Sequence, residues 1–162
     1  MSRQKPIVVV GSINTDLVAV TERIPAIGET VTGTDFQIHP GGKGANQAVA
    51  VARLGYPVRL IGRLGSDVFG TQLKTHLESA CVDIAGVATS EGTSGVAVIV
   101  VSEQGENIIV VTPGANAKVT PQDLEANIEI VRQAGIVLLR NGRSCLLHPG
   151  ELPVDAHAAR RP

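Results

Sequence analysis

Between His39 and Gln47 the chain reads His-Pro-Gly-Gly-Lys-Gly-Ala-Asn-Gln, directly ahead of an Ala/Val-rich run. Glycine has no Cβ, so the backbone here can take φ > 0 and approach a ligand or a neighbouring segment closely. A helix beginning at this point aims free N–H groups and a positive dipole end back at the loop. Lys43 and Asn46 add side-chain donors. The combination suits a site for a small polar molecule. The plainer reading is a glycine-rich turn with a solvated lysine, because glycines punctuate loops generally. Two phosphate-binding patterns fail. A Walker A loop would need Gly where Gln37 stands and Ser or Thr where Gly44 stands; the dinucleotide pattern G-x-G-x-x-G would need Gly in place of Gln47.

The rest of the chain bounds the class of protein. Its 162 residues suffice for one domain of ordinary size. Apolar residues make up 43% and charged residues 18%, a balance that folds around a core. Aromatics are only 2%, so the core must be Val, Ile, Leu and Ala, and base-stacking surfaces for single-stranded nucleic acid are not expected. A net charge of −1 gives no electrostatic case for nucleic acid or an anionic membrane. Cys81 and Cys145 are too few and too far apart for a disulfide framework or a zinc site. They read as reduced thiols of a cytoplasmic protein. Ile7–Val10 is too short for a signal-peptide core or a membrane span.

Read along the chain, Ile7-Val-Val-Val10 predicts a strand covered on both faces, stopping at Gly11. Val31–Ile38 predicts a second strand, exposed on one face, and Gly44–Leu54 a helix closed by Gly55. Val58–Ile61 is another short strand. Ser66 or Asp67 can cap a helix whose stripe is Phe69, Leu73 and Leu77. Val96–Val101 and Asn107–Thr112, around the polar turn Ser102–Glu106, predict a β-hairpin. Thr120-Pro121-Gln122-Asp123 starts a helix with Leu124, Ile128 and Val131 buried. Ile136–Leu139 is a last strand. Strands alternating with helices plus an inserted hairpin predict an α/β parallel sheet with helices on both faces. In such sheets ligands sit at the carboxyl ends of strands, where Asn14 and Asp16 follow the first strand.

After Leu139 the composition shifts. Residues 140–162 hold four of the ten Arg, two of the four His and three of the nine Pro, with no helical or strand period. This tail reads as irregular.

Gly11-Ser-Ile-Asn-Thr-Asp16, Gly41-Gly-Lys-Gly-Ala-Asn-Gln-Ala48, then Gly55, Gly62, Gly65-Ser-Asp67, Gly70, Gly105-Glu-Asn-Ile-Ile109 and Gly114-Ala-Asn116 together resemble the ribokinase family of sugar kinases. The resemblance covers about Ile7 to Leu139, in order. It implies a ribokinase-like parallel sheet with helices on both faces and a small antiparallel β lid, here incomplete. It also implies ATP-dependent phosphoryl transfer to a ribose hydroxyl, with ATP, Mg²⁺ and a monovalent cation. Asn14, Asp16, Gly42, Lys43 and Asn46 match family positions that contact the sugar. Residues of about 15–39 and 96–112 match the lid, which in the family covers the sugar and forms a homodimer contact. Ala97, Ile99 and Val111 are the candidates for its apolar underside. Taken alone, Asn14 and Asp16 equally suit turn caps. Asp67 reads as a helix cap rather than a catalyst, His39 and His76 as solvated or packed, and Gly114–Asn116 as a loop.

The family's catalytic Gly-Ala-Gly-Asp does not occur in this sequence, and none of its aspartates stands in that context. No catalytic residue is therefore assigned. Where the family continues with Gln-Leu-Glu after the last strand, this chain has Arg140-Asn141-Gly142. The expectation is a sugar-binding part over residues 1–139 followed by a non-family tail over 140–162, from a shifted or truncated reading frame. Two further readings stay open: a non-catalytic sugar-binding or dimerisation module, and a kinase fragment for another sugar or a nucleoside.

Overall fold

A computed structural model describes residues 4–140; of the irregular tail expected over 140–162, Arg140 instead ends a strand and the rest lies outside the described residues. Two four-stranded sheets organise the described residues. The first is wholly parallel, in the order β5-β4-β1-β8, built from β1 (Ile7–Gly11), β4 (Val58–Gly65), β5 (Asp83–Ser90) and β8 (Ile136–Arg140). The second, formed by the strands expected to make a lid and called the lid below, runs β3-β2-β6-β7, from β2 (Asn14–Thr21), β3 (Gly33–Gly41), β6 (Gly95–Ser102) and β7 (Asn107–Thr112).

The β-branched run of β1 does what a doubly covered strand must. Val9 packs with Leu60, and with Ala45 and Val49 of α1 (Lys43–Arg53) and Leu73 and Leu77 of α2 (Val68–Ser79). Val8 and Val10 face the other way, onto Ile61 and Leu124. Helices therefore cover both faces of the parallel sheet, as expected of α/β layering. Leu124 belongs to α3 (Pro121–Ala126), which Arg63 ties to the sheet by an ion pair with Asp123. Asp123 also accepts the backbone N–H of Thr120 at 2.8 Å, closing the helix start that Thr120-Pro121 announces. Among the described residues no helix is long and apolar enough to cross a membrane.

Several expectations need correction. The second strand does not stop at Ile38. Its antiparallel ladder with β2 continues through Pro40 to the Asn14↔Gly41 pair. Pro40 can lie in the ladder because β3 is an edge strand. The supposed glycine loop thus shrinks to Gly42, with φ +91°, between β3 and α1. The lid is antiparallel only at its two edges; at its centre β2 and β6 run parallel. β5 was not expected. The third helix is broken at Asn127, whose side chain donates to the Asp123 carbonyl at 2.8 Å. The break resets the register, so Ile130 and Val131 of α4 (Ile128–Arg132) pack on the Leu124 cluster rather than Ile128. Gly114–Asn116 opens a 3₁₀ turn (Gly114–Lys118) instead of a loop.

Asp67, not Ser66, caps α2. It accepts from the Gly70 N–H at 2.8 Å, the Ser94 hydroxyl at 2.7 Å and the Ser94 N–H at 2.9 Å. Ser94, fully buried at the start of the lid, in turn accepts from the Gly65 N–H at 3.0 Å. This cluster joins the end of β4, the start of α2 and the root of β6.

Candidate functional site

The site residues expected from sequence gather at the carboxyl end of β1, where the chain turns into the lid. Glycine geometry records how tightly. A Cβ on Gly42 would lie 2.6 Å from the Asn14 nitrogen and from the Ser12 carbonyl oxygen. One on Gly44 would lie 2.6 Å from the Gly11 carbonyl carbon. The first turn of α1 therefore rests directly on the β1–β2 connection, a seat that the Ala45 N–H reinforces by donating to the Ser12 carbonyl at 3.1 Å. Real Cβ atoms do not approach so closely, so at these positions only glycine permits the contact.

Asp16 enters from the lid. Its carboxylate lies against the Cα of Gly41, in the space a side chain there would fill. Asp16 is half-buried, and that burial pushes its carboxyl above the usual aspartate value; His39, its cross-strand partner, works in the opposite direction. A carboxylate held partly out of water, with no hydrogen-bond donor among the described residues, is an acceptor waiting for one. Lys43 and Asn46 are exposed at the start of α1, where they add donors beside the free N–H groups of its first turn.

Strand register places the candidate apolar underside. Asp16 pairs with Ala97, Val18 with Ile99, and Ala97 with Val111, so Ala97, Ile99 and Val111 share the sheet face of Asp16. Ala97 is buried, Ile99 half-buried and Val111 exposed. The opposite lid face carries Phe36, Ile38, Val98, Ile108 and Val110, all exposed.

Sequence reasoning missed one residue of this region. Asn116 is buried, and its side chain meets the β1–β2 connection 103 residues away in sequence. Its Oδ1 accepts the Ile13 N–H at 2.9 Å. Its Nδ2 faces the Ile13 carbonyl at 3.0 Å, the Pro113 carbonyl at 3.1 Å and Asn14 Oδ1 at 2.9 Å. The available signal was the Gly-Ala-Asn of residues 114–116, which has no periodicity to place it.

Comparison with known proteins fits this geometry. Residues 4–159 match the model of the pfkB family carbohydrate kinases. The chain is 44% identical to a ribokinase of Bacillus subtilis over 135 residues, covering 83% of this chain and 46% of that protein. It is 43% identical to a ribokinase of Lactococcus lactis over 134 residues, covering 82% and 44%. Among solved structures, Arabidopsis thaliana ribokinase complexed with ribose and ATP superposes with a TM-score of 0.73 at 36% identity, covering 97% of this chain and 49% of that one. The chain spans about half the length of the curated relatives it matches. The parallel sheet with its helices matches the solved ribokinase structures, and the chain belongs to the pfkB family of carbohydrate kinases.

Proposed function

We propose that this chain carries the sugar-binding side of a ribose kinase, with residues 1–139 as its ribokinase-like part and lid strands at about 15–39 and 96–112. Asn14, Asp16, Gly42, Lys43 and Asn46 hold the sugar hydroxyls, and Ala97, Ile99 and Val111 cover the ring. The observation that carries this reading is the Asp16 carboxylate seated on Gly41, beside Gly42 and the first turn of α1. An ionised carboxylate accepts from two hydroxyls at once, while the ammonium of Lys43 and the amide of Asn46 donate. The ribokinases among its relatives, one of them solved with ribose, support ribose as the sugar.

Phosphoryl transfer needs more than this chain's described residues supply. It requires a base at the attacking hydroxyl and a cradle for the nucleotide with Mg²⁺. Among the described residues no group of three His, Cys, Asp or Glu is placed to hold a metal ion, and the sequence has no Gly-Ala-Gly-Asp. The residues present do not fit a Mg²⁺–nucleotide site, and no transfer step is derived through one. In the complete kinase, ATP, Mg²⁺ and the monovalent cation belong to the part these residues do not form.

The lid face bearing Phe36, Ile38, Val98, Ile108 and Val110 meets a second copy, making a homodimer. Calorimetry with D-ribose tests the central reading: the chain binds ribose, Asp16→Ala does not, and ATP-dependent ribose phosphorylation stays at background. Heat of binding unchanged by Asp16→Ala would overturn it.

A further inference from the structure

We propose that Asn116 is a positioning residue that fixes which end of the Asn14 amide faces the sugar. The inference rests on the sugar-binding reading of Asn14 given above; the orientation itself rests on backbone chemistry alone.

An asparagine amide has an acceptor end and a donor end of nearly the same shape, and its neighbours decide which way it turns. For Asn116 the neighbours are backbone groups with only one role each. The Ile13 N–H can only donate, so the atom facing it at 2.9 Å must be Oδ1. The Ile13 and Pro113 carbonyls can only accept, so the atom facing them at 3.0 and 3.1 Å must be Nδ2. The orientation of Asn116 is thus set by main chain that cannot itself turn over. The two N–H groups of Nδ2 are shared among these carbonyls and Asn14, and because Nδ2 has no lone pair to accept with, the Asn14 atom facing it at 2.9 Å must be Oδ1. Asn14 Nδ2, which makes no hydrogen bond among the described residues, is left as the donor end. A sugar hydroxyl arriving there meets N–H groups, and the neighbouring Asp16 supplies the acceptor.

The arrangement is protected on its third side. Gly95 pairs with Asn14 across the parallel β2–β6 ladder, and a Cβ at Gly95 would overlap both Asn116 Nδ2 and Asn14 Oδ1. Asn116 lies in the 3₁₀ turn that follows β7, so a single buried amide joins the start of β2, the start of β6 and the exit of β7. The lid's roots and the donor of the site are held by the same group. Orienting Asn14 before the ligand arrives lowers the ordering cost of binding.

The test has two arms on the full chain. In the first, ¹⁵N relaxation of the Asn14 side-chain amide is measured without sugar. The wild-type amide is expected to be as rigid as structured backbone, with an order parameter of about 0.85. In Asn116→Asp, which keeps the acceptor for the Ile13 N–H and loses both donors, the Asn14 amide becomes mobile. An amide already mobile in the wild type, or equally rigid in the variant, overturns the proposal. The wild-type measurement decides even if the variant does not fold. In the second arm, calorimetry with D-ribose compares wild type, Asn116→Asp, Asn14→Ala and the double variant. Asn116→Asp weakens binding about tenfold, and the double variant binds no more weakly than Asn14→Ala alone. Additive losses overturn the proposal, because a residue that only stabilises the fold would not act through Asn14. A wild-type chain that binds no ribose refutes the sugar reading, and the relaxation arm still decides whether Asn116 orients Asn14.

Discussion

The two sheets are written in the same alphabet and end in opposite circumstances. β1 and β7 are both β-branched runs, Ile-Val-Val-Val and Ile-Ile-Val-Val. Val8 and Val9 of β1 have no exposed surface, whereas every residue of β7 is exposed. The difference lies in what covers them. α1 and α2 close one face of the parallel sheet and α3 and α4 the other. Among the described residues no helix packs on the lid face that carries Val98, Ile108 and Val110. Apolar content therefore reports capacity for burial, and coverage decides where it is realised. The sharpest way to break this contrast is truncation in the core. Leu60→Ala, at a position with no exposed surface, should cost about 2–5 kcal/mol through lost transfer energy and a residual cavity. A thermal melt that moves by only a degree or two would show that the parallel sheet is not the stabilising region.

The lid contains the next-largest effect, and it concerns function more than folding. Asp16 is held partly out of water with no donor among the described residues, which raises its carboxyl above the usual aspartate value. The native state then binds its proton more tightly than the unfolded chain does. Asp16's contribution to stability is greatest below the unfolded pKa and is lost as pH rises through the raised value. Asp16→Asn removes this charge. It should lower ribose affinity by roughly 10–100-fold, the worth of one or two hydrogen bonds to a charged group, while raising the melting temperature at neutral pH. A variant that loses both affinity and stability would mean that Asp16 holds the lid together rather than serving a ligand.

Legibility in the sequence follows the same division. β1 and the α2 stripe were readable because burial there is periodic and the Asp67 cap is local. β5 was not, since its middle is Ala-Gly-Val and Gly86 serves a contact rather than a strand pattern: a Cβ there would lie 2.8 Å from Ile61 Cγ1. The break at Asn127 depends on one side-chain hydrogen bond that leaves the helical composition unchanged. In the site, Gly41, Gly42 and Gly44 were informative because each marks a close approach, and Asn14 and Asp16 are the groups that approach Gly41 and Gly42. Asn116 was invisible in its role. Its partners at Ile13 and Asn14 lie more than a hundred residues away, and no local pattern links them.

Between core and lid, the Asp67–Ser94 cluster tests how firmly the two are joined. Burial works to raise the Asp67 carboxyl, but hydrogen bonds from the Ser94 hydroxyl, the Ser94 N–H and the Gly70 N–H outweigh it and hold the carboxyl below the usual aspartate value. With a depressed native pKa, the stabilisation is present above the unfolded value and is lost as pH falls through the native one. Asp67→Asn should cost about 1–2 kcal/mol at neutral pH, as expected for a helix cap that also meets a buried hydroxyl. It should also flatten the acid limb of the stability–pH curve. An unchanged acid limb would mean that Asp67 is not the group coupling the α2 start to the lid root.

The smallest expected effect on folding falls on the lid's open face, and it separates a covered surface from a bare one. Val110 is 66% exposed and sits beside Val98 in the cross-strand register. In an isolated chain Val110→Lys removes almost no buried area, so its stability at low protein concentration should stay within about 0.5 kcal/mol of wild type. If a second copy packs on this face, the same change puts a charge into an apolar contact. Sedimentation equilibrium should then shift from dimer towards monomer, and the concentration dependence of melting should disappear. A wild-type chain that is monomeric at all concentrations would refute the homodimer. A dimer that Val110→Lys leaves intact would move the contact to another surface, and the lid's bare face would need a different partner.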